Sequence, residues 1–246
     1  MAFCALTPSL IYGQLPSTRT TTTNYNGWYM YYGNHEVADR WSVYFEAQAR
    51  RNDVVTKWQQ YLFRPALNYQ VNNKLIVSGG YAFIDTFRYG QFPVAARFPE
   101  NRIYQQAAIA HDTKRVALQQ RIRFEERWIG VMAPDPSGGS SVASWRYQNR
   151  FRYLLRANIA LAGRWYLGVY DEIFLNVPPN IGASAYDQNR LYGAIGYNFT
   201  APVRLELGYM NQALLQRNGL VLENNNTLQF AIYSTASFRR KKNHVK

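Results

Sequence analysis

The residues able to do chemistry in this chain are arginines and glutamates set two positions apart. In residues 118–128, Arg121, Arg123, Glu125 and Arg127 share one parity with Gln119, and Leu118, Ile122, Phe124 and Trp128 take the other. Successive side chains of a strand point to opposite faces, so this spacing makes a strand with one charged and one apolar face. A helix would scatter the arginines around its axis. Residues 146–155 repeat the pattern, with Arg146, Gln148, Arg150 and Arg152 against Tyr147, Phe151, Tyr153 and Leu155. Glu46 and Arg50 alternate with Phe45, Ala47 and Ala49, Arg64 with Phe63, and Glu172 with Ile173. Arg190, Arg204 and Glu206 fall on the polar faces of later segments.

Arginine presents a rigid fork of donors that matches carboxylates and phosphates. If the apolar faces look outward, these charges are enclosed, and enclosed charges must be paired and hydrogen-bonded. Two readings follow. In one, a ladder of ion pairs fills and closes the interior. In the other, the excess of Arg over Glu on these faces makes a lumen that attracts anions, since rings of Arg favour anionic species.

Other chemistry finds little support. The histidines are His35, His111 and His244, the first two at turns and the third near the C-terminus, and no serine stands in a nucleophile setting beside them. Adjacent Glu125 and Glu126 point to opposite faces of a strand, so they cannot act as a glycosidase pair. Metal-ligand spacings and Gly-rich phosphate loops are absent, and Cys4 is the single cysteine. No catalytic residue, metal or cofactor is expected. The net charge of +13 comes from 28 Lys and Arg against 15 Asp and Glu. The basic residues are spread over many alternating segments, which argues against a nucleic-acid interface.

The positioning elements are strands throughout. Strand-like segments cover 25–33, 41–50, 58–71, 74–88, 102–111, 116–128, 145–159, 165–176, 188–199, 203–215 and 226–238. Short turns fall at Asn72-Asn73, 112–114, Ala162-Gly163 and Ala201-Pro202, and longer loops at 89–100, 130–144, 177–186 and 217–225. Strands of about 9–11 residues, with short turns on one side and long loops on the other, are the habit of outer-membrane barrels. The negative mean hydropathy agrees, because half of each barrel strand faces a polar interior. Twenty Tyr and six Trp suit positions with one apolar and one wet end. Trp28, Tyr29, Tyr31, Trp41, Trp58, Trp128, Trp145, Trp165, Tyr197 and Phe238 are therefore expected in interfacial girdles.

About eleven segments are visible, and the even number usual in bacterial barrels sets the expectation at about twelve strands, with ten as the alternative. Traced back along the long loops, the first segment runs the wrong way for an N-terminus on the short-turn side. That direction places a missed strand near 14–24 or a miscount around 51–56. Residues 1–13 are read as the end of a secretory signal peptide, 14–24 as a Thr-rich flexible lead-in, 25–238 as the barrel and 239–246 as a basic tail.

With the segments in order, the chain resembles the family known as domain of unknown function 2490. The likeness rests on Arg40-Trp41 with Glu46 and Arg50, Gly80-Tyr81, Glu100-Asn101-Arg102 with Gln105-Gln106, and the run Arg121 to Arg127. It continues through Arg146-Tyr147 with Arg150 to Tyr153, Asp171-Glu172 with Asn176, Gln188-Asn189-Arg190 and Gly208-Tyr209-Met210, and covers about residues 25–238. The resemblance implies a small antiparallel transmembrane β-barrel in the outer membrane of a Gram-negative bacterium, and no assigned activity. Barrels of this type usually end on an aromatic, whereas here Phe238 is followed by a basic extension.

The functional expectation is an outer-membrane barrel with a structural role or passive small-solute passage, its Arg-rich lumen giving a preference for anions. Its partners are then membrane lipid and small anionic solutes. An outer-membrane lipid-modifying enzyme is the alternative from another class, and a soluble lipocalin-like binder is a third.

Overall fold

A computed structural model describes residues 19–136 and 138–239. The signal-peptide segment 1–13, lead-in residues 14–18 and tail residues 240–246 lie outside the described residues. Eleven strands form one closed barrel: β1 Thr20–Glu36, β2 Trp41–Asn52, β3 Lys57–Gln70, β4 Leu75–Thr86, β5 Phe98–Asp112, β6 Val116–Pro134, β7 Ser140–Ala160, β8 Trp165–Val177, β9 Tyr186–Thr200, β10 Val203–Leu215 and β11 Val221–Ser234. Each strand pairs antiparallel with the next. The ring closes where β1 lies parallel to β11, from Thr20 opposite Val221 to Gly33 opposite Ser234.

Among the described residues the barrel therefore has eleven strands and not twelve. An odd count forces the first and last strands to run the same way, so the first strand needs no missing partner to correct its direction. Lead-in residues 20–24 belong to β1, where Thr22 and Asn24 are already buried. The expected loop at 130–144 shrinks to the turn 135–139, because β6 and β7 pair out to Pro134 opposite Ser140. Connections 37–40, 71–74, 113–115, 161–164 and 201–202 share one rim, the short-turn rim. Connections 53–56, 87–97, 135–139, 178–185 and 216–220 share the other, the loop rim. Loop 87–97 turns Tyr89 into the lumen mouth, where its hydroxyl donates to Glu223 Oε2 at 3.2 Å. Burial, and next the Glu223 carboxylate, push that phenol above its ordinary range.

Alternation sorts every strand into an inward and an outward face. The outcome is an inverted polarity: Glu125 and Arg123 are 0% and 1% exposed, whereas Leu191, Ile122 and Phe63 are 60%, 50% and 49% exposed. Pro65 stands on the outward face of β3, opposite Phe45. Lacking a donor, it interrupts the ladder to β4, which stops at Phe63–Phe83 and resumes at Ala66–Gly80. Gly80 tolerates the resulting approach, because a Cβ there would lie 2.7 Å from both the Pro65 carbonyl and the Tyr104 ring.

A second glycine governs an inward side chain. A Cβ on Gly196 would lie 2.1 Å from the Tyr166 ring, whose hydroxyl donates to buried Glu206 at 2.9 Å. Gly196→Val should force the ring away and destabilise the barrel by about 2–3 kcal/mol. Urea unfolding of refolded protein reads this, and an unchanged midpoint would show that the ring does not rest on Gly196.

Candidate functional site

The interior charges form a connected network built around Glu125 on β6. Arg150, directly opposite on β7, donates from Nε and Nη2 to Glu125 Oε2 at 3.0 and 2.6 Å. Arg152, two residues along, donates to Oε1 at 2.6 Å, while Arg102 and Arg123 stand 3.7 Å away. Arg152 then links to the next carboxylate, donating from Nη2 and Nε to Glu172 Oε1 at 2.6 and 3.0 Å. Glu172 also accepts from Arg121 at 2.6 Å, with Arg190 at 4.0 Å. Arg150 Nη1 reaches Asp187 at 2.8 Å.

Smaller groups surround this centre. Glu46 accepts from Arg64, its register partner on β3, at 2.6 Å and from the Tyr44 hydroxyl at 2.7 Å. Glu100 holds Arg102 and Arg127, with nearest contacts of 2.6 and 2.5 Å. Glu206 accepts from Arg156, Tyr166, Tyr192 and Tyr233. Taking a charge out of water costs several kcal/mol, which these multiple contacts offset.

Aromatic rings support the guanidiniums from behind. Arg152, Arg190 and Arg150 lie 4.2, 4.6 and 5.2 Å from the Phe174 ring centre. Arg50 and Arg190 lie 3.8 and 5.1 Å from that of Trp28. Such contacts hold a cation by the ring quadrupole without neutralising it.

The positive charge is not fully cancelled. Among the described residues, Arg50, Arg146 and Arg204 have no carboxylate within 4 Å. Arg123 donates to Gln106 Oε1 at 2.9 and 2.6 Å, and its Nη1 has no hydrogen-bond partner. Nor is the barrel packed solid. A cavity of about 470 Å3 runs among the side chains, with Arg50, Arg123, Arg152, Arg190 and Arg204 on its wall.

Every charge singled out by alternation faces inward: Glu46, Arg50, Arg64, Arg121, Arg123, Glu125, Arg127, Arg146, Arg150, Arg152, Glu172, Arg190, Arg204 and Glu206. Arg146 stands apart from the centre, in a smaller recess at the loop rim with Arg217. Alternation could also have found Arg156, which shares the parity of Arg146 to Arg152. Glu100 was hidden in a stretch read as loop, because flanking Pro99 and Gly90 suggested irregular chain. Trp28 was expected in a girdle and instead is buried in the lumen, 2% exposed. It shares its parity with Met30 and Asn26 on the inward face of β1. His35 is tied by the Ala236 carbonyl, which accepts from its Nδ1 at 2.7 Å, and stacks on Phe238 at 4.1 Å. Its setting is structural packing of the C-terminal segment against β1, where Phe238 N donates to the Glu36 carbonyl at 2.9 Å.

Removing the central carboxylate should expose the balance of this network. Glu125→Gln leaves Arg150 and Arg152 without their best partner and should cost about 3–5 kcal/mol. Glu126→Gln, on the outward face of the same strand, should change stability by less than about 0.5 kcal/mol. Equal unfolding midpoints for the two variants would contradict a central role for Glu125.

Comparisons with known proteins give a family and no chemistry. A family model described as a protein of unknown function, DUF2490, matches residues 25–223. An uncharacterized protein of Methylorubrum extorquens is 24% identical over 185 residues, covering 74% of this chain and 76% of that protein. No solved structure matches the chain. Since the model spans most of the barrel, the chain belongs to the DUF2490 family.

Proposed function

We propose that this protein is an outer-membrane β-barrel of a Gram-negative bacterium whose arginine-lined lumen admits small anionic solutes. The observation that carries the membrane reading is the inverted polarity of the barrel. A protein in water seldom exposes contiguous apolar surface of this extent. Here Leu67, Ile122, Ile195, Leu207 and Leu228 all stand outward and exposed, while arginines and glutamates fill the interior. A lipid environment supplies the missing partner for that outer face.

Aromatic pairs support the same reading. Trp41 with Tyr69 and Trp165 with Tyr197, at ring separations of 4.8 and 4.7 Å, mark the short-turn rim. Trp58 with Tyr61 and Trp128 with Tyr147, at 5.2 and 5.3 Å, mark the opposite side. Tyr and Trp collect where a membrane meets water. Between these belts the outward faces are mainly apolar, with Leu, Ile and Val beside Phe63, Phe83, Phe124 and Phe230. Toward the loop rim they turn polar, with Asn101, Glu126, Asn149, Asn189, Asn211 and Asn226.

The lumen combines the two expectations drawn from sequence. Ion pairs fill part of the interior, and an unneutralised arginine surplus lines the space left between them. Such a surface concentrates anions and repels cations.

Two measurements test the proposal. Ile122→Arg places a cation on the middle of the outer face. In water this exposed change would be close to neutral, whereas in a bilayer it should cost about 2–4 kcal/mol and lower the yield of folded barrel. Wild-type yield and stability in lipid would remove the membrane reading. Planar-bilayer recordings with ion substitution should show anion selectivity that falls in Arg204→Gln. A conductance without charge preference would remove the anion reading and leave the membrane reading standing.

A further inference from the structure

We propose that the lumen contains a specific site for a small tetrahedral oxyanion, of the phosphate or sulfate class, between Arg50 of β2 and Arg190 of β9 beside Trp28. The inference deepens the anionic-lumen part of the proposed function and is independent of where the barrel resides. These two guanidiniums come from strands far apart around the ring, yet both lie over one indole and both line the central cavity. Arg50 spends Nε and Nη1 on the amide oxygens of Gln48 and Gln60, at 2.8 and 2.6 Å, and has no carboxylate within 4 Å among the described residues. Among the described residues, Arg190 reaches only the Gln188 amide oxygen at 3.4 Å and Glu172 at 4.0 Å, and its buried Nε has no hydrogen-bond partner.

Arg150 and Arg152 sit against the same Phe174 ring as Arg190, but each is satisfied by carboxylates at 2.6 Å. Arg50 meets amides and rings, and Arg190 an amide, rings and one carboxylate no nearer than 4.0 Å, so their charge is cradled without being closely paired. Two like charges held beside an apolar ring in a low-dielectric interior repel each other, and a shared anion removes that repulsion. A tetrahedral oxyanion offers several acceptors to two forks of donors, and charge-assisted bonds of this kind are stronger than neutral ones. Chloride offers no directional acceptor set, so the site should discriminate against it.

Trp28 is a built-in reporter, because it is buried in the lumen while Trp41, Trp58, Trp145 and Trp165 are exposed on the outer face. The experiment is a fluorescence titration of the full chain, folded in detergent, with inorganic phosphate, sulfate and chloride at matched ionic strength. Phosphate and sulfate should give a saturable change in emission that chloride does not, and Trp28→Phe should abolish it. Arg190→Gln should weaken phosphate binding by about tenfold or more, equivalent to roughly 1.4 kcal/mol. Arg50→Lys keeps the charge but loses the fork, and should weaken binding even if Arg190→Gln fails to fold. Heat-modifiable gel mobility checks folding of each variant, and outward Glu126→Gln is the control expected to titrate like wild type. A response that is linear, equal for chloride, retained in Trp28→Phe or unaltered in folded Arg190→Gln and Arg50→Lys would overturn the site. A barrel that partitions into membranes and selects anions without a saturable response would sink this site alone. Conductance without anion preference would instead sink the lumen reading.

Discussion

Closing a sheet most of whose strands carry charges on one face traps those charges together, and the rest of this structure follows from how they are neutralised. Glu125 shows the solution. One carboxylate buried at the centre accepts from Arg150 and Arg152 and faces Arg102 and Arg123 as well. Each arginine then turns its remaining donors to another acceptor, so Glu125, Glu172 and Asp187 are joined through Arg152 and Arg150. A single arginine fork bridging two carboxylates spreads the desolvation cost over several contacts, and lysine, with its compact ammonium, could not do this in the same geometry. The interior is thus held by directional bonds, while the outer face contributes little packing of its own within the chain.

The ring closes on a parallel pair, and this single choice reconciles the strand count with the direction of the chain. With eleven strands, β1 begins at the loop rim and β11 ends at the short-turn rim. A parallel ladder is slightly weaker per residue than an antiparallel one. Here it is long, with Thr20 to Gly33 in continuous register against β11. Buried Asn24 and Asn26 reinforce it across the seam by donating to Asn225 Oδ1 at 2.9 and 3.4 Å.

Neutralisation is incomplete where carboxylates give way to amides. Around Arg50 and Arg190 the hydrogen-bond acceptors are Gln48, Gln60 and Gln188, neutral groups that leave the charge in place, with the Glu172 carboxylate 4.0 Å from Arg190. Beside Arg64 and Arg127, by contrast, the partners are carboxylates at 2.6 and 2.5 Å. The cavity is lined by Arg50 and Arg190 together with the paired Arg150, Arg152 and Glu172, which joins the electrostatics of the lumen to the space available for a solute.

The sequence by itself determined the faces. Period-two alternation put Arg121, Arg123, Glu125 and Arg127, and Arg146, Arg150 and Arg152, on one face and the neighbouring Ile, Phe or Leu on the other, because a strand leaves a side chain no third direction. It also determined the all-β class and the short turns at 71–74, 161–164 and 201–202. Only the tertiary structure decided who meets whom. Glu46 and Arg64, or Glu125 and Arg150, are neighbours through strand register, and Arg156 with Glu206 or Arg50 with Arg190 through closure of the ring. The parallel seam was equally hidden, since alternation reads the same in a parallel strand as in an antiparallel one. Trp28 passed for a girdle residue for the same reason: an aromatic in a strand names its parity, and only the closed barrel says which parity is the lumen.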